Sequence, residues 1–174
     1  MDEMEWRGSV PLAGEAIEIG NASAMVEPDR NALMVSGDLA AALAALCPDA
    51  RMVGLGEECG EQDFALRIAR DRALLVTGQA LDVEPGWYPA GYAVSSADDA
   101  FAAVALSGAD APAIIGEGVT ADLKAASPSA AILFAGQFAL LARRGEDYRL
   151  WIERPMLAWL WAWLGGAAIS SGQR

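Results

Sequence analysis

The alternation of apolar and polar positions predicts a series of short β-strands along this chain. Ile17 and Ile19 alternate with Glu18, which is the pattern of a half-buried strand. Further strands are predicted at 6–12, 32–35, 52–55, 64–68, 73–77 and 101–107, and on both sides of turns at 135–136 and 145. The segments 21–31 and 79–92 are rich in turn-forming residues, so they are predicted to be irregular.

Two helices are predicted between these strands. Leu39, Leu43 and Leu46 recur at spacings of four and three, which places them on one face of a helix over 38–46. A second, compact helix over 110–117 follows a tight glycine turn and begins with an acidic residue, which the free N–H groups of a first helical turn favour. The order of strands and helices predicts an α+β protein with antiparallel sheets.

A third helix, predicted to begin at Pro155, is apolar on every side. Large apolar side chains occupy an arc of about 200° around it: Met156, Leu157, Trp159, Leu160, Trp161, Trp163 and Leu164. Such a helix needs cover on more than one side, so it is either a buried closing helix or a subunit interface. Gly165-Gly166 is predicted to end it, and the span is shorter than the ~20 residues that cross a bilayer.

Composition and charge narrow the classes of partner. The 174 residues fit one domain over 1–174, for which two sub-lobes, 1–90 and 91–174, are an alternative division. Hydrophobic residues make up 54% and the mean hydropathy is +0.25, so a partner surface is expected to cover part of the apolar surplus, and the isolated chain is expected to self-associate. A net charge of −12 opposes binding to nucleic acid or to an anionic membrane.

The complete absence of histidine removes most catalytic and metal-binding schemes. It excludes an imidazole base, a Ser-His-Asp or Cys-His nucleophile and the usual zinc ligands, so no catalytic, cofactor-binding or metal-ligating residue is assigned. The loop at 56–63 carries four carboxylates but lacks an alternating Asp/Asn pattern, which favours a solvated acidic loop over a metal site. Cys47 and Cys59 form no CxxC pattern; packed thiols and a disulfide or redox pair both remain open.

Aromatic residues mark two candidate surfaces. Trp87, Tyr88 and Tyr92 lie in a segment with two prolines and two glycines, where they could cover one end of a sheet, dock a partner, or stack on a pterin or flavin. Together with the C-terminal helix, they give the predicted partner interface: Trp87, Tyr88, Trp159, Trp161 and Trp163.

Several of these motifs occur in a characteristic order between residues 93 and 164. A strand leads into LSGADA (106–111), a small helix, VTADL (119–123), a hairpin, EDYRLWIERP (146–155) and the aromatic LWAWL (160–164). In this order the chain resembles the gamma subunits of heterotetrameric sarcosine oxidases, in the aminomethyltransferase-like folate-binding superfamily. It departs from that family at ARDRALLVT (69–77), where Ala73 replaces an aromatic residue.

The resemblance implies a fold and a role. The fold would be a folate-binding-domain-like one, with ferredoxin-like βαββαβ elements and helices on one face of antiparallel sheets. The chain would be a noncatalytic structural subunit of a complex that oxidatively demethylates an N-methyl amine of the sarcosine class and passes the carbon to tetrahydrofolate. Flavin, NAD and tetrahydrofolate would be held by the alpha, beta and delta partner subunits, and only a vestigial folate pocket would remain here.

A stand-alone folate-binding or aminomethyltransferase-like protein is the alternative. In that case carboxylates such as Asp98, Asp99 or Asp122 and a ring such as Trp87 would grip a pterin. Since the acidic N-terminal segment has no apolar core typical of a signal peptide, a cytoplasmic location is expected for either kind of protein.

Overall fold

Two six-stranded β-sheets and three α-helices make up the part of the chain that the structure describes. The structure is a computed structural model, and it describes residues 10–171 apart from 121 and 124, with only the backbone at 167–171. The two sheets face each other, and helices lie on the outer side of each. The prediction of an α+β protein built from antiparallel sheets is confirmed at this level.

The strands follow one another in a regular order across each sheet. In the first sheet they are β1 (Ala16–Ile19), β2 (Ala22–Val26), β9 (Phe101–Gly108), β12 (Asp147–Glu153), β11 (Gln137–Arg144) and β10 (Ala131–Phe134). In the second sheet they are β4 (Arg51–Val53), β5 (Phe64–Ala69), β6 (Arg72–Thr77), β3 (Asn31–Gly37), β8 (Tyr92–Ser96) and β7 (Gly86–Tyr88). The helices are α1 (Leu39–Leu46), α2 (Ala111–Gly118) and α3 (Leu157–Ser171), the last preceded by a 3-10 turn (Arg154–Met156). Every named strand pair is antiparallel except β4 with β5.

The chain is built from two units with the same order of elements, which differ in that β4 runs parallel to β5 whereas β10 runs antiparallel to β11. Each unit is a hairpin, then a strand, a helix and three more strands: β1 to β6 with α1, and β7 to β12 with α2. The hairpin of each unit pairs with the other unit's sheet, since β2 pairs with β9 and β8 pairs with β3. The two halves are therefore joined by an exchange of hairpins. A boundary at residue 90 would fall between β7 and β8, and the division into sub-lobes stays a prediction.

Equivalent glycines mark the point where each exchanged hairpin docks. Gly37 ends β3 with a φ of 97°, and Gly108 ends β9 with a φ of 100°. A Cβ at Gly37 would clash with the carbonyl oxygen of Gly91, and one at Gly108 with that of Asn21. These two carbonyls belong to the turns of the exchanged hairpins, so only glycine allows the hairpins to approach this closely.

Three apolar layers hold the elements together. Phe64, Leu66, Leu140 and Trp151 contribute to the layer between the two sheets. Helices α2 and α3 pack on the outer face of the first sheet, and α1 packs on the outer face of the second. The expectation of helices on one face therefore holds for each sheet separately, but helices cover both sides of the protein as a whole.

Strands also occur in the two segments predicted to be irregular. β2 lies within 21–31; it pairs on both sides, which overrides its mixed local sequence. β7 lies within 79–92, and β8 begins at the last residue of that segment. Pro85 and Pro89 flank the three residues of β7 and do not interrupt them, so the strand can form. Of the predicted strand 6–12, residues 10–12 are in no strand and 6–9 lie outside the described residues.

The predicted starts of the three helices agree with the structure within two residues, but the predicted end of α3 is wrong. Asp38 caps α1, and its carboxylate accepts a hydrogen bond from the backbone N–H of Ala41 at 3.0 Å. Helix α2 agrees with the predicted 110–117 within one residue. Helix α3 was predicted to end at Gly165-Gly166 but continues to Ser171. Even so, no helix among the described residues is both long and apolar enough to cross a bilayer.

Candidate functional site

The aromatic face of α3 lies partly against the core of the protein. Leu157, Leu160 and Leu164 are buried, and the three tryptophans of the helix are half-buried against the same cluster. The ring of Trp163 lies edge-on to Phe134, with 4.9 Å between ring centroids and an interplanar angle of 75°. These rings therefore contribute to the fold, and only the parts that remain exposed are available to a partner.

Among the described residues, Trp87 is the aromatic side chain that is largely exposed. It lies on β7, an edge strand of the second sheet, and 69% of its surface is exposed. Its neighbour Tyr88 is half-buried; the Tyr88 ring stacks on Tyr92 at 4.9 Å, and its hydroxyl donates a hydrogen bond to the Glu84 carbonyl oxygen at 2.6 Å. These contacts hold Tyr88 against the protein, whereas the Trp87 side chain projects into solvent. An edge strand with an exposed ring is a surface on which a partner can dock.

A cleft of about 330 Å³ opens between the two sheets. Its apolar wall includes Ala32, Phe64, Leu74, Val76, Ala103 and Trp151. Phe64 and Trp151 are almost fully buried and meet edge-on, with ring centroids 5.7 Å apart. Segments 27–30 and 60–62, together with Arg144, form the polar rim.

Most of the charged groups at the rim are paired with one another. The Nε of Arg149 donates to both carboxylate oxygens of Glu27 at 2.7 Å. Burial of the Arg149 guanidinium lowers its pKa, but the contact with Glu27 outweighs this effect and the pKa of Arg149 is raised. Arg144 forms an ion pair with Glu61 and lowers the pKa of that carboxyl. Asp29 pairs outside the cleft, with a guanidinium of the 3-10 turn before α3, at 2.7 Å.

Arg30 differs from the other cations of the rim. Its guanidinium carbon lies 5.3 Å from the centroid of the Phe64 ring, and one of its nitrogens donates to the Gln62 carbonyl oxygen. Among the described residues it has no carboxylate within ion-pair distance. Burial lowers the pKa of Arg30, and nearby Asp63 and Glu27 oppose that effect.

The sequence-predicted pterin-binding residues do not converge at this cleft. Asp98 lies on its wall, but the Asp98 carboxylate already accepts hydrogen bonds from the Ala32 N–H at 2.8 Å and from the Ser96 hydroxyl at 3.1 Å. Asp99, Asp122 and Trp87 are not among the residues that line it. The Arg30 and Arg149 side chains were not singled out from the sequence, although Arg149 lies within EDYRLWIERP (146–155).

A solved structure with a similar fold is known. It is a chain of the heterotetrameric sarcosine oxidase from Corynebacterium sp. U-96, determined in complex with pyrrole 2-carboxylate. The similarity has a TM-score of 0.69 and covers 92% of this chain and 90% of that one. This chain shares its fold with a sarcosine oxidase chain. The two are 18% identical in sequence, and no family model and no curated protein matches the sequence.

The acidic loop at 56–63 is tied to its own surroundings. The Glu57 carboxylate accepts a hydrogen bond from the Gly54 N–H at 2.8 Å, and Glu58 accepts one from the Gly145 N–H at 3.3 Å. Within residues 10–171 as described, no group of three or more metal-binding side chains comes together. The Glu57 contact therefore holds the start of the loop, and the Glu58 contact holds the loop to the turn after β11.

The two cysteines are free thiols in separate apolar clusters. Cys59 lies between the sheets, whereas Cys47 packs with α1 on the outer side of the second sheet. Burial raises the pKa of both thiols, and the contact with Asp63 adds to this effect at Cys47. Of the interpretations left open by the sequence, this arrangement fits two packed thiols and not a disulfide.

Both thiols should therefore be slow to react in the folded protein. At pH 7 an aromatic disulfide reagent should modify Cys47 and Cys59 about tenfold or more slowly than free cysteine, since little thiolate is present and access is blocked. In guanidinium chloride both should react at the rate of the free amino acid. Rapid modification of one thiol under native conditions would contradict the burial of that residue.

Proposed function

We propose that this chain is a noncatalytic structural subunit of a sarcosine oxidase-like complex, equivalent to its gamma subunit. The main support for this proposal is the fold that the chain shares with a chain of a heterotetrameric sarcosine oxidase, over nearly the full length of both chains. The motif order between residues 93 and 164 supports the same assignment and, with it, membership of the aminomethyltransferase-like folate-binding superfamily.

In this proposal the chemistry takes place in the partner subunits. The complex would oxidise an N-methyl amine of the sarcosine class with flavin and transfer the carbon to tetrahydrofolate, with NAD also bound by the alpha, beta or delta subunit in the cytoplasm. The lack of histidine supports a structural role for this chain, because it leaves no imidazole for flavin attachment or general base catalysis.

The surface proposed for assembly is the exposed edge around Trp87. Trp87 lies on the edge strand β7 and is 69% exposed. An unpaired strand edge that carries an exposed indole can pair with and bury its ring against a partner chain. The outward parts of Trp159, Trp161 and Trp163 would extend the contact from the side of α3.

Purification of the tagged chain from its own cells tests the assignment. We expect flavin-containing subunits to co-purify in a fixed ratio, identified by mass spectrometry and by the flavin absorbance bands. A chain recovered alone and without flavin colour would contradict the assignment. It would favour the stand-alone folate-binding protein, for which Asp98 at the cleft is the supporting feature, and calorimetric titration with folate would then test that alternative.

Substitution of Trp87 should prevent assembly with the partners without destabilising the fold of this chain. Trp87→Ser should abolish co-purification of the partners and change the free energy of unfolding by less than about 0.5 kcal/mol, as is usual for exposed sites. Leu12→Ser is the matched control, since Leu12 is also 69% exposed but lies outside the predicted interface. Equal loss of the partners in both variants would contradict a specific role for Trp87.

A further inference from the structure

The floor of the cleft between the sheets is shaped for a flat apolar group. Phe64 and Trp151 are 1% and 5% exposed and form an aromatic corner. The rest of the apolar lining is Ala32, Leu74, Val76, Ala97, Phe101 and Ala103, so three of these side chains are single methyl groups. Small side chains near large rings leave room for a planar ring, which makes edge-on or offset contacts.

One cation at the cleft makes no direct ion pair with a described carboxylate, although Asp63 and Glu27 lie near enough to act on its charge. Each carboxylate on the wall already has a partner: Glu27 pairs with Arg149, Glu61 with Arg144, Asp29 with Arg154, and Asp98 accepts two hydrogen bonds. Only the Arg30 guanidinium at the mouth, among the described cations that line the cleft, has no ion pair; its hydrogen bond goes to a neutral carbonyl. A carboxylate is a stronger acceptor than this carbonyl.

We propose that the cleft binds a small aromatic carboxylate, with the ring against Phe64 and Trp151 and the carboxylate on Arg30. This inference goes beyond the subunit role and does not rest on it, because every group it uses belongs to this chain. A volume of about 330 Å³ is near the lower limit of small-molecule sites, so a ligand of one or two fused rings fits.

The surroundings favour a ligand with a single negative charge. The four carboxylates of the wall and a net charge of −12 repel a second negative group, while the one free guanidinium can pair with only one. A dianion would place one carboxylate near Glu27 or Asp98 without a cation to balance it. The expected order of affinity is therefore aromatic monoacid first, with the neutral amide and the diacid both weaker.

Benzoate, benzamide and phthalate test this order on the full-length chain. Binding is measured by isothermal titration calorimetry and by chemical-shift changes of the indole N–H of Trp151. We expect benzoate to bind about tenfold more tightly than either benzamide or phthalate, since a hydrogen bond to a charged partner contributes about that factor. Equal affinity for benzamide, or tighter binding of phthalate or folate, would overturn the proposal, as would no binding of benzoate.

Two variants locate the binding site. Arg30→Gln should weaken benzoate about tenfold and leave benzamide unchanged, whereas Arg72→Gln, at an exposed hairpin position away from the cleft, should change neither. Ala103→Leu should fill the gap and weaken both ligands. If Arg72→Gln weakens benzoate as much as Arg30→Gln, the effect is one of general charge and the proposal fails. The comparison of the three ligands on the unmodified chain does not depend on the folding of any variant.

Discussion

Gly108→Ala should lower the free energy of unfolding by about 3 kcal/mol or more. Two causes act together. The φ of 100° is strained for any residue with a side chain, and the added Cβ would clash with the carbonyl oxygen of Asn21. To relieve the clash, the hairpin β1–β2 would have to move away from β9, which would disrupt their pairing. Urea denaturation followed by circular dichroism measures the change.

Gly136→Ala is the matched control for this prediction. Gly136 also has a positive φ, 86°, but a Cβ there would meet no atom within 4 Å. Its replacement should cost only the backbone strain, about 1 kcal/mol. Gly37→Ala should behave like Gly108→Ala, because the same contact recurs in the other unit. Similar losses at Gly108 and Gly136 would show that the close approach of the hairpin does not matter.

Part of this repeated architecture was visible in the sequence. In each unit an apolar strand ends in Ser-Gly and an Asp follows within two residues, before a helix: Ser36-Gly37-Asp38 and Ser107-Gly108-Ala109-Asp110. Each strand and the helix after it could be predicted from these local patterns. The exchange of hairpins could not, because strand alternation defines which face is buried but carries no information on which distant strand is the neighbour.

The C-terminal helix shows a similar division between local and tertiary information. Its apolar character was evident, but the sequence left open whether the helix is buried in the protein or forms a subunit interface; in the structure it packs on the first sheet. The length of the helix could not be predicted, because Gly165 and Gly166 each lower helix propensity by about 1 kcal/mol but do not forbid a helix. A Cβ at either glycine would meet no atom within 4 Å, and Ala167 and Ala168 favour continuation of the helix.

The cleft could not be predicted, because its residues come from separate parts of the chain. Glu27 and Arg149, which form the central ion pair, are 122 positions apart. Glu27 lies in none of the motifs, and although Arg149 lies within EDYRLWIERP, an isolated arginine on a strand is usually a surface residue. Only the packing of β12 of one unit against strands of the other brings Arg149 and Trp151 to the same space as Phe64.

Trp163→Ala should destabilise the protein, by about 2 to 4 kcal/mol, although tryptophans on α3 were first considered as interface residues. The Trp163 ring fills the space beside Phe134, which is completely buried, and its removal would leave a cavity between α3 and the first sheet. Trp87→Ala is the matched substitution on a ring that projects into solvent, and it should change the free energy of unfolding by less than about 0.5 kcal/mol. Urea denaturation of both variants gives the comparison.

A double-mutant cycle isolates the contact itself. Combined with Phe134→Leu, Trp163→Ala should show a coupling of about 0.5 to 1.5 kcal/mol, as expected for an edge-on aromatic pair. Trp87→Ala with Phe134→Leu should be additive, because no contact joins them. If Trp163→Ala leaves stability unchanged, the ring does not belong to the core and the whole aromatic face of α3 is available to a partner. If it destabilises as expected, assembly depends mainly on the edge around Trp87, and loss of partners in α3 variants reports unfolding instead of a lost contact.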